Sequence, residues 1–164
     1  MHMPDTPAEP MPQALSNTVI TAITPSIIAE ILKATGYRAN VVERDGVQQV
    51  QSAAQGLGFF LGFGNAVPNA SAQYVDFSFH CWITIQDELP AGLVESWNQS
   101  MRFARLFRQQ QLLVLTMDVM VAGGVTEAFL CAQCELWDRV IADFIRHIKR
   151  PVAAAAAAAD SASE

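Results

Sequence analysis

Residues 74–85, Tyr-Val-Asp-Phe-Ser-Phe-His-Cys-Trp-Ile-Thr-Ile, split into two alternating sets. Val75, Phe77, Phe79, Cys81, Ile83 and Ile85 fall on one side of an extended chain; Tyr74, Asp76, Ser78, His80, Trp82 and Thr84 fall on the other. A period of two marks a strand with one face in a core. A strand of this length needs partners to be stable, so the chain is committed to building a sheet around it.

Flanking segments supply those partners. Tyr37–Arg44 and Val47–Ala53 are joined by Asp45-Gly46, a dipeptide suited to a tight hairpin. Leu57–Phe63 sets Phe59, Leu61 and Phe63 on one face, and Arg102–Arg108 and Leu112–Val121 are linked through a glutamine-rich turn. Three helices are predicted. In the first, Thr24 caps, Pro25 takes the first helical position, Ile23 staples onto Ile28, and Gly36 supplies the stop. Its apolar stripe is Ile27, Ile28, Ile31 and Leu32. The second runs from about Pro90 to Ser100 on Leu93, Val94 and Trp97. The third runs from Thr126 to about His147, with Leu130, Cys134, Trp137, Ile141, Phe144 and Ile148 at helical spacing, widened by Phe129, Val140 and Ile145. The order α-β-β-β-β-α-β-β-α has strands arriving in hairpins. That predicts an α+β fold, a twisted antiparallel sheet with helices packed on one face. Residues 1–17, rich in proline, read as a disordered leader, 18–150 as a single domain, and 151–164 as an alanine-rich flexible tail.

Of the 164 residues, 51% are hydrophobic and 16% charged, and mean hydropathy is +0.21. Membrane insertion is still not expected. A spanning helix needs about 18 uninterrupted apolar residues, and the best run, 112–125, is broken by Thr116, Asp118 and a glycine pair. Formal net charge is −6, which argues against nucleic acid as the partner, because phosphate must be met by Lys and Arg. Four acidic residues lie in the tails while every basic one lies between 33 and 150, so the folded part carries 12 acidic against 10 basic residues, a net of −2. Three cysteines cannot all pair within one chain, and the first residues lack the basic-then-apolar pattern of a secretory signal. A reducing cytoplasm is the expected setting.

No motif specifies an enzyme. There is no GxSxG elbow and no paired-histidine helix. Ser78 and His80 share a strand face without forming a triad, and Asp87, Glu88, Glu95 and Asp118 are the central carboxylates. Asp118 interrupts an apolar strand and is expected on its solvent side. Gly56, Gly58, Gly62 and Gly64 miss the spacing of a phosphate loop, and no helix follows them. Arg102, Arg105 and Arg108 beside Phe103 and Phe107 resemble a stacking surface for single strands, but a strand divides them between two faces. Cys131 and Cys134 form a CxxC already inside a helix, where small core residues are the simpler explanation. His80 and Cys81 point opposite ways, so with that pair no four-ligand metal site arises, and neither a metal nor a cofactor is expected.

Short motifs occur in sequence from Trp97-Asn98 through Arg102-Phe103-Ala104, Leu115-Thr116-Met117-Asp118-Val119 and Gly123-Gly124-Val125-Thr126 to Leu136-Trp137. With the helix ending Thr35-Gly36-Tyr37 and the Asp-Gly hairpin, they resemble the YbjN family over about residues 24–148. That family is described as bacterial sensory-transduction regulators. The resemblance implies a fold similar to type III secretion chaperones, whose members are commonly dimers that bind other proteins without a known active site.

Two readings follow. The first is a non-catalytic regulatory or chaperone-like module, a homodimer that binds a protein partner. If helices cover the Phe77, Phe79 and Ile83 side, its interaction face is Tyr74, His80 and Trp82 with Phe60. The alternative is a thiol-redox or metal-responsive sensor using Cys131 and Cys134.

Overall fold

The computed structural model describes residues 18–86 and 88–161. The expected leader, Asp87 and residues 162–164 lie outside the described residues. The elements are α1 (Pro25–Ala34), β1 (Asn40–Arg44), β2 (Val47–Ala54), β3 (Leu57–Phe63), β4 (Asp76–Thr84), α2 (Leu93–Ser100), β5 (Arg105–Gln109), β6 (Leu112–Met120) and α3 (Glu127–Ser161). Their order is the expected one. All six strands form one antiparallel sheet in the order β1-β2-β3-β4-β6-β5. The hairpin β5-β6 therefore arrives reversed, with β6 inside against β4 and β5 at the edge.

Local chemistry accounts for the junctions. Thr24 Oγ1 accepts from the Ile27 amide at 3.2 Å, and Thr126 Oγ1 accepts from the Phe129 amide at 3.1 Å, so α1 and α3 each start on a threonine cap. Asp45 and Gly46 both take positive φ (53° and 76°), the signature of the type I′ turn that matches strand twist. A Cβ on Gly64 would overlap the Asp76 carboxylate, which itself receives hydrogen bonds from Asn65. A larger residue there would have to displace that carboxylate and its bonds to Asn65.

Several boundaries differ from expectation, each for a local reason. Segment 102–104 is held by α2 before β5 begins at Arg105. The helix expected from Pro90 starts at Leu93, after Gly92 turns at φ 76°. α3 does not stop near His147; its backbone stays helical through the alanine run to Ser161, as alanine's propensity favours. Ile27 and Phe129, both assigned to apolar stripes, are exposed.

The predicted inner set is the core. Phe77, Phe79 and Cys81 of β4, Phe59 and Leu61 of β3, and Leu115, Met117 and Val119 of β6 are all buried with Ile28, Ile31 and Leu32 of α1, Trp97 of α2 and Trp137, Ile141 and Phe144 of α3. Trp137 is the keystone. Its ring stacks on Phe79 (centroids 5.1 Å apart, 25° between planes) and meets Phe59 edge-on at 5.9 Å. Its Nε1–H is buried with no hydrogen-bond partner among the described residues, so packing holds the indole. Trp137→Ala is expected to cost about 3–5 kcal/mol, and Trp137→Phe distinctly less, because it keeps a ring and removes the orphan donor. Urea unfolding of both variants checks this; equal midpoints for the two would contradict it.

Candidate functional site on the open sheet face

Because all three helices contribute to the inner core, the opposite face of the sheet must furnish its own surface. Register places its residues in rows across the strands. Phe60 lies opposite His80, His80 opposite Thr116 and Thr116 opposite Arg105; Trp82 lies opposite Val114 and Val114 opposite Phe107. Phe60 and His80 stack at 4.9 Å with 23° between planes, and Trp82 meets Phe60 edge-on at 4.9 Å. Gly58 and Gly62 flank Phe60 on the same face, so no neighbouring side chain on β3 screens its ring. Val114 and Thr116 are each only 2% exposed, whereas Trp82 is 49% and Phe107 38% exposed.

A polar cluster adjoins this aromatic patch. Ser78 Oγ donates to Asp118 Oδ1 at 2.6 Å, and Arg105 Nη2 pairs with Asp118 Oδ2 at 2.8 Å. Asp118 thus lies on the solvent side, as expected, with both carboxylate oxygens engaged. On the other flank, Arg44, Gln51 and Gly58 border a hollow of about 260 Å³ beside Phe60 and Trp82. Thr116 Oγ1 is buried in this face without a hydrogen-bond partner.

Phe60, His80 and Trp82, three of the four residues expected to make an interaction face, are contiguous. Tyr74 is not with them. It bridges to Ile23 and Ala66, and its ring packs on Phe63 and against the core. The amides of Val121 and Ala122 both donate to the Val75 carbonyl, the two-on-one pattern of a bulge, so the alternation that begins at Asp76 does not extend back to Tyr74. Phe107 takes its place in the patch. Its alternation with Arg105 was visible in sequence, but not the strand order that sets β5 and β6 beside Trp82.

The cysteines occupy apolar ground. Cys81 and Cys134 are buried, and burial pushes their thiols up to about 11 and about 12; Cys131 is also shifted upward, by burial first and then by Glu127 and Glu135. Such thiols are poor nucleophiles at neutral pH. Among the described residues no group of three or more His, Cys, Asp and Glu could hold a metal ion. Of the three arginines near β5, Arg102 lies before the strand over the Phe103 ring, Arg105 pairs with Asp118, and Arg108 donates to the Gln110 carbonyl. His147 and Ser96 approach to 3.4 Å, but both also contact the Leu93 carbonyl. A carbonyl only accepts, so the ring Nε2 is committed as a donor there and is no base for the serine.

Burial lowers the pKa of His80 below 6.5, with Asp118 pulling it up and Arg105 pushing it down. The imidazole is neutral at pH 7. Below pH of about 6.5 the unfolded chain binds this proton before the folded chain does, so His80's contribution is complete above that pH and is lost as pH falls toward the folded value. The drop in urea midpoint from pH 7.5 to 5.5 is therefore expected to be smaller in His80→Gln than in wild type, and an equal drop would contradict the assignment. The cysteines give a second expectation. Ellman's reagent at pH 7.5 should react slowly with the native protein and promptly with all three thiols after unfolding. Rapid titration of two native thiols would instead revive the redox reading.

Comparison with known proteins adds the following. The YbjN family model, described as "Putative bacterial sensory transduction regulator", matches residues 24–150. No curated protein matches. Among solved structures, a crystal structure of YbjN from E. coli, titled "a putative transcription regulator", superposes with a TM-score of 0.50 at 16% sequence identity, covering 81% of this chain and 90% of that one. At that identity the likeness is one of fold.

Proposed function

Because the chain belongs to the YbjN family of bacterial sensory transduction regulators, we propose that it is a non-catalytic, protein-binding regulator that associates with a second copy of itself through the open sheet face. One observation carries this reading: an aromatic sheet face that no helix covers among the described residues, with Trp82 half exposed on it. Val47, Phe107 and Met120 are exposed on the same face, so it gathers four of the nine large hydrophobic residues exposed among those described. Val47 and Met120 lie at the other end of the face from the contiguous Phe60, His80, Trp82 and Phe107 patch, and it is an exposed patch of that kind that marks an interaction site more often than a solvated surface.

Charge favours a second copy as the occupant. Next to the aromatic patch the carboxylate of Asp118 is ion-paired with Arg105, while Asp76 keeps its charge at the far end of β4, hydrogen-bonded by Asn65, so the patch itself offers no free carboxylate with which to select a basic partner. Under a twofold axis an apolar patch meets its own copy, the self-complementary contact of an isologous dimer. Two twisted sheets pack face to face at about 10 Å, the separation that side chains such as Trp82 and Phe107 fill. A chaperone-like role would use the same apolar face for a client segment.

Light scattering and sedimentation over a concentration series test this. Wild type should be dimeric at about 100 µM, and Trp82→Asp monomeric with an unchanged circular dichroism spectrum and unfolding midpoint. A monomeric wild type, or a dimer indifferent to Trp82→Asp, overturns the proposal.

A further inference from the structure

The open face leaves the seam between α2 and α3 unused. His147 of α3 ties the two helices together: its Nε2–H donates to the Leu93 carbonyl at 2.8 Å, and its ring lies edge-on to Trp97 with centroids 5.4 Å apart. Beside this contact is a cleft of about 600 Å³, bordered by Pro90, Leu93, Gln99, Met101, His147 and Arg150. It shares Met101, His147 and Arg150 with an adjoining recess of about 430 Å³ that reaches Asp143 and Arg146.

The charges of this cleft do not balance. Its one carboxylate, Asp143, is ion-paired with Arg146. Arg150 lies one helical turn beyond Arg146, on the same side of α3, and is exposed with no hydrogen bond or ion pair among the described residues. The Ser96 and Ser100 hydroxyls are already donating to backbone carbonyls, at 3.1 and 2.6 Å. What remains for a ligand is an uncommitted guanidinium, the Arg146 donors not used by Asp143 an i,i+4 step away, and the Gln99 amide. Two guanidinium forks at that spacing suit an anion with several oxygens more than a single carboxylate. Pro90, Leu93 and Met101 add apolar wall, and the volume is in the range of sites for small organic molecules.

We infer that the α2-α3 cleft binds a small phosphate monoester, its phosphate held by Arg150 with Arg146 and its organic part against Leu93 and Met101. Such a ligand would bear on α2, whose Trp97 and Asn98 side chains are bonded to the backbone at Ala104 and Leu106, directly beside the residues that present Arg105 and Phe107 to the open face.

Titration of the labelled protein with inorganic phosphate and with phenyl phosphate, at constant ionic strength, tests the site. The Trp97 indole N–H resonance should move saturably, with those of Trp82 and Trp137 unmoved. Phenyl phosphate should bind more tightly than inorganic phosphate. Arg150→Gln should weaken both by roughly tenfold, and Arg150→Lys by less. Trp82→Asp should bind as wild type does, so the site and the dimer proposal fail separately. No saturation by about 50 mM, identical titrations for wild type and Arg150→Gln, or the same shift with sodium chloride alone would overturn the inference.

Discussion

Trp137 stacked on Phe79 decides which side of the sheet is interior, and the rest of the architecture is bound to that choice. Side chains on a strand alternate, so with Phe79 inside, His80 and Trp82 are outside. Register carries the decision from strand to strand: Leu61, Phe79 and Met117 share the inner row, while Phe60, His80, Thr116 and Arg105 share an outer one. A slip of one residue would drive Trp82 against α3 and expose Phe79. The ring contacts of Trp137 with Phe59 and Phe79 therefore fix a core and, by exclusion, an open face.

The sheet must also protect its edges. β5 is an edge strand, and an unpaired edge invites another chain. α2 closes it with side chains. The Asn98 amide donates to the Leu106 carbonyl at 2.7 Å and accepts from the Leu106 amide at 3.0 Å, imitating one rung of a neighbouring strand; the Trp97 indole donates to the Ala104 carbonyl at 3.1 Å. Between them Phe103 is held at φ 74°, a conformation bulky residues rarely adopt. The motifs Trp97-Asn98 and Arg102-Phe103-Ala104, which carry much of the family resemblance, are thus two halves of one structural device. Their roles are consistent with edge closure, with no chemistry required of them.

What was legible in the sequence was whatever depends on local periodicity. The alternation from Phe77 to Trp82, the Asp45-Gly46 turn, the Thr24 and Thr126 caps and the stripe through Trp137 all act within a few residues, and each is found where the spacing places it. Tyr74 escaped because a bulge is a two-against-one pairing, set by the partner strand, and residues 74–76 do not encode it. Phe107 and Val114 escaped for the complementary reason: which strands lie side by side is settled by α2 crossing between β4 and β5. His147 escaped because its role lies across a sequence separation of 54 residues, in a hydrogen bond to a backbone carbonyl that no residue type announces.

The low charge of the chain acquires a physical meaning from this arrangement. On the open face the central carboxylates are tied up locally, Asp118 by Ser78 and Arg105, and Asp76 by Asn65. On α3 the charges are unevenly spread: Glu127, Glu135 and Asp138 with Arg139 lie in its first half, whereas Arg146, Lys149 and Arg150 follow Asp143 with no acidic residue among them. A nearly neutral fold therefore presents two surfaces of different character, one aromatic with its central carboxylate ion-paired, the other a cleft with surplus positive charge. Burial of apolar area is little affected by dilute salt, while attraction between exposed charges is screened within about 10 Å at 0.1 M. Any binding at the aromatic face should accordingly tolerate salt, and any binding at the cleft should weaken with it. Because α2 borders the cleft through Leu93 and is bonded through Trp97 and Asn98 to the strand that carries Arg105 and Phe107, it is the element that links the two surfaces.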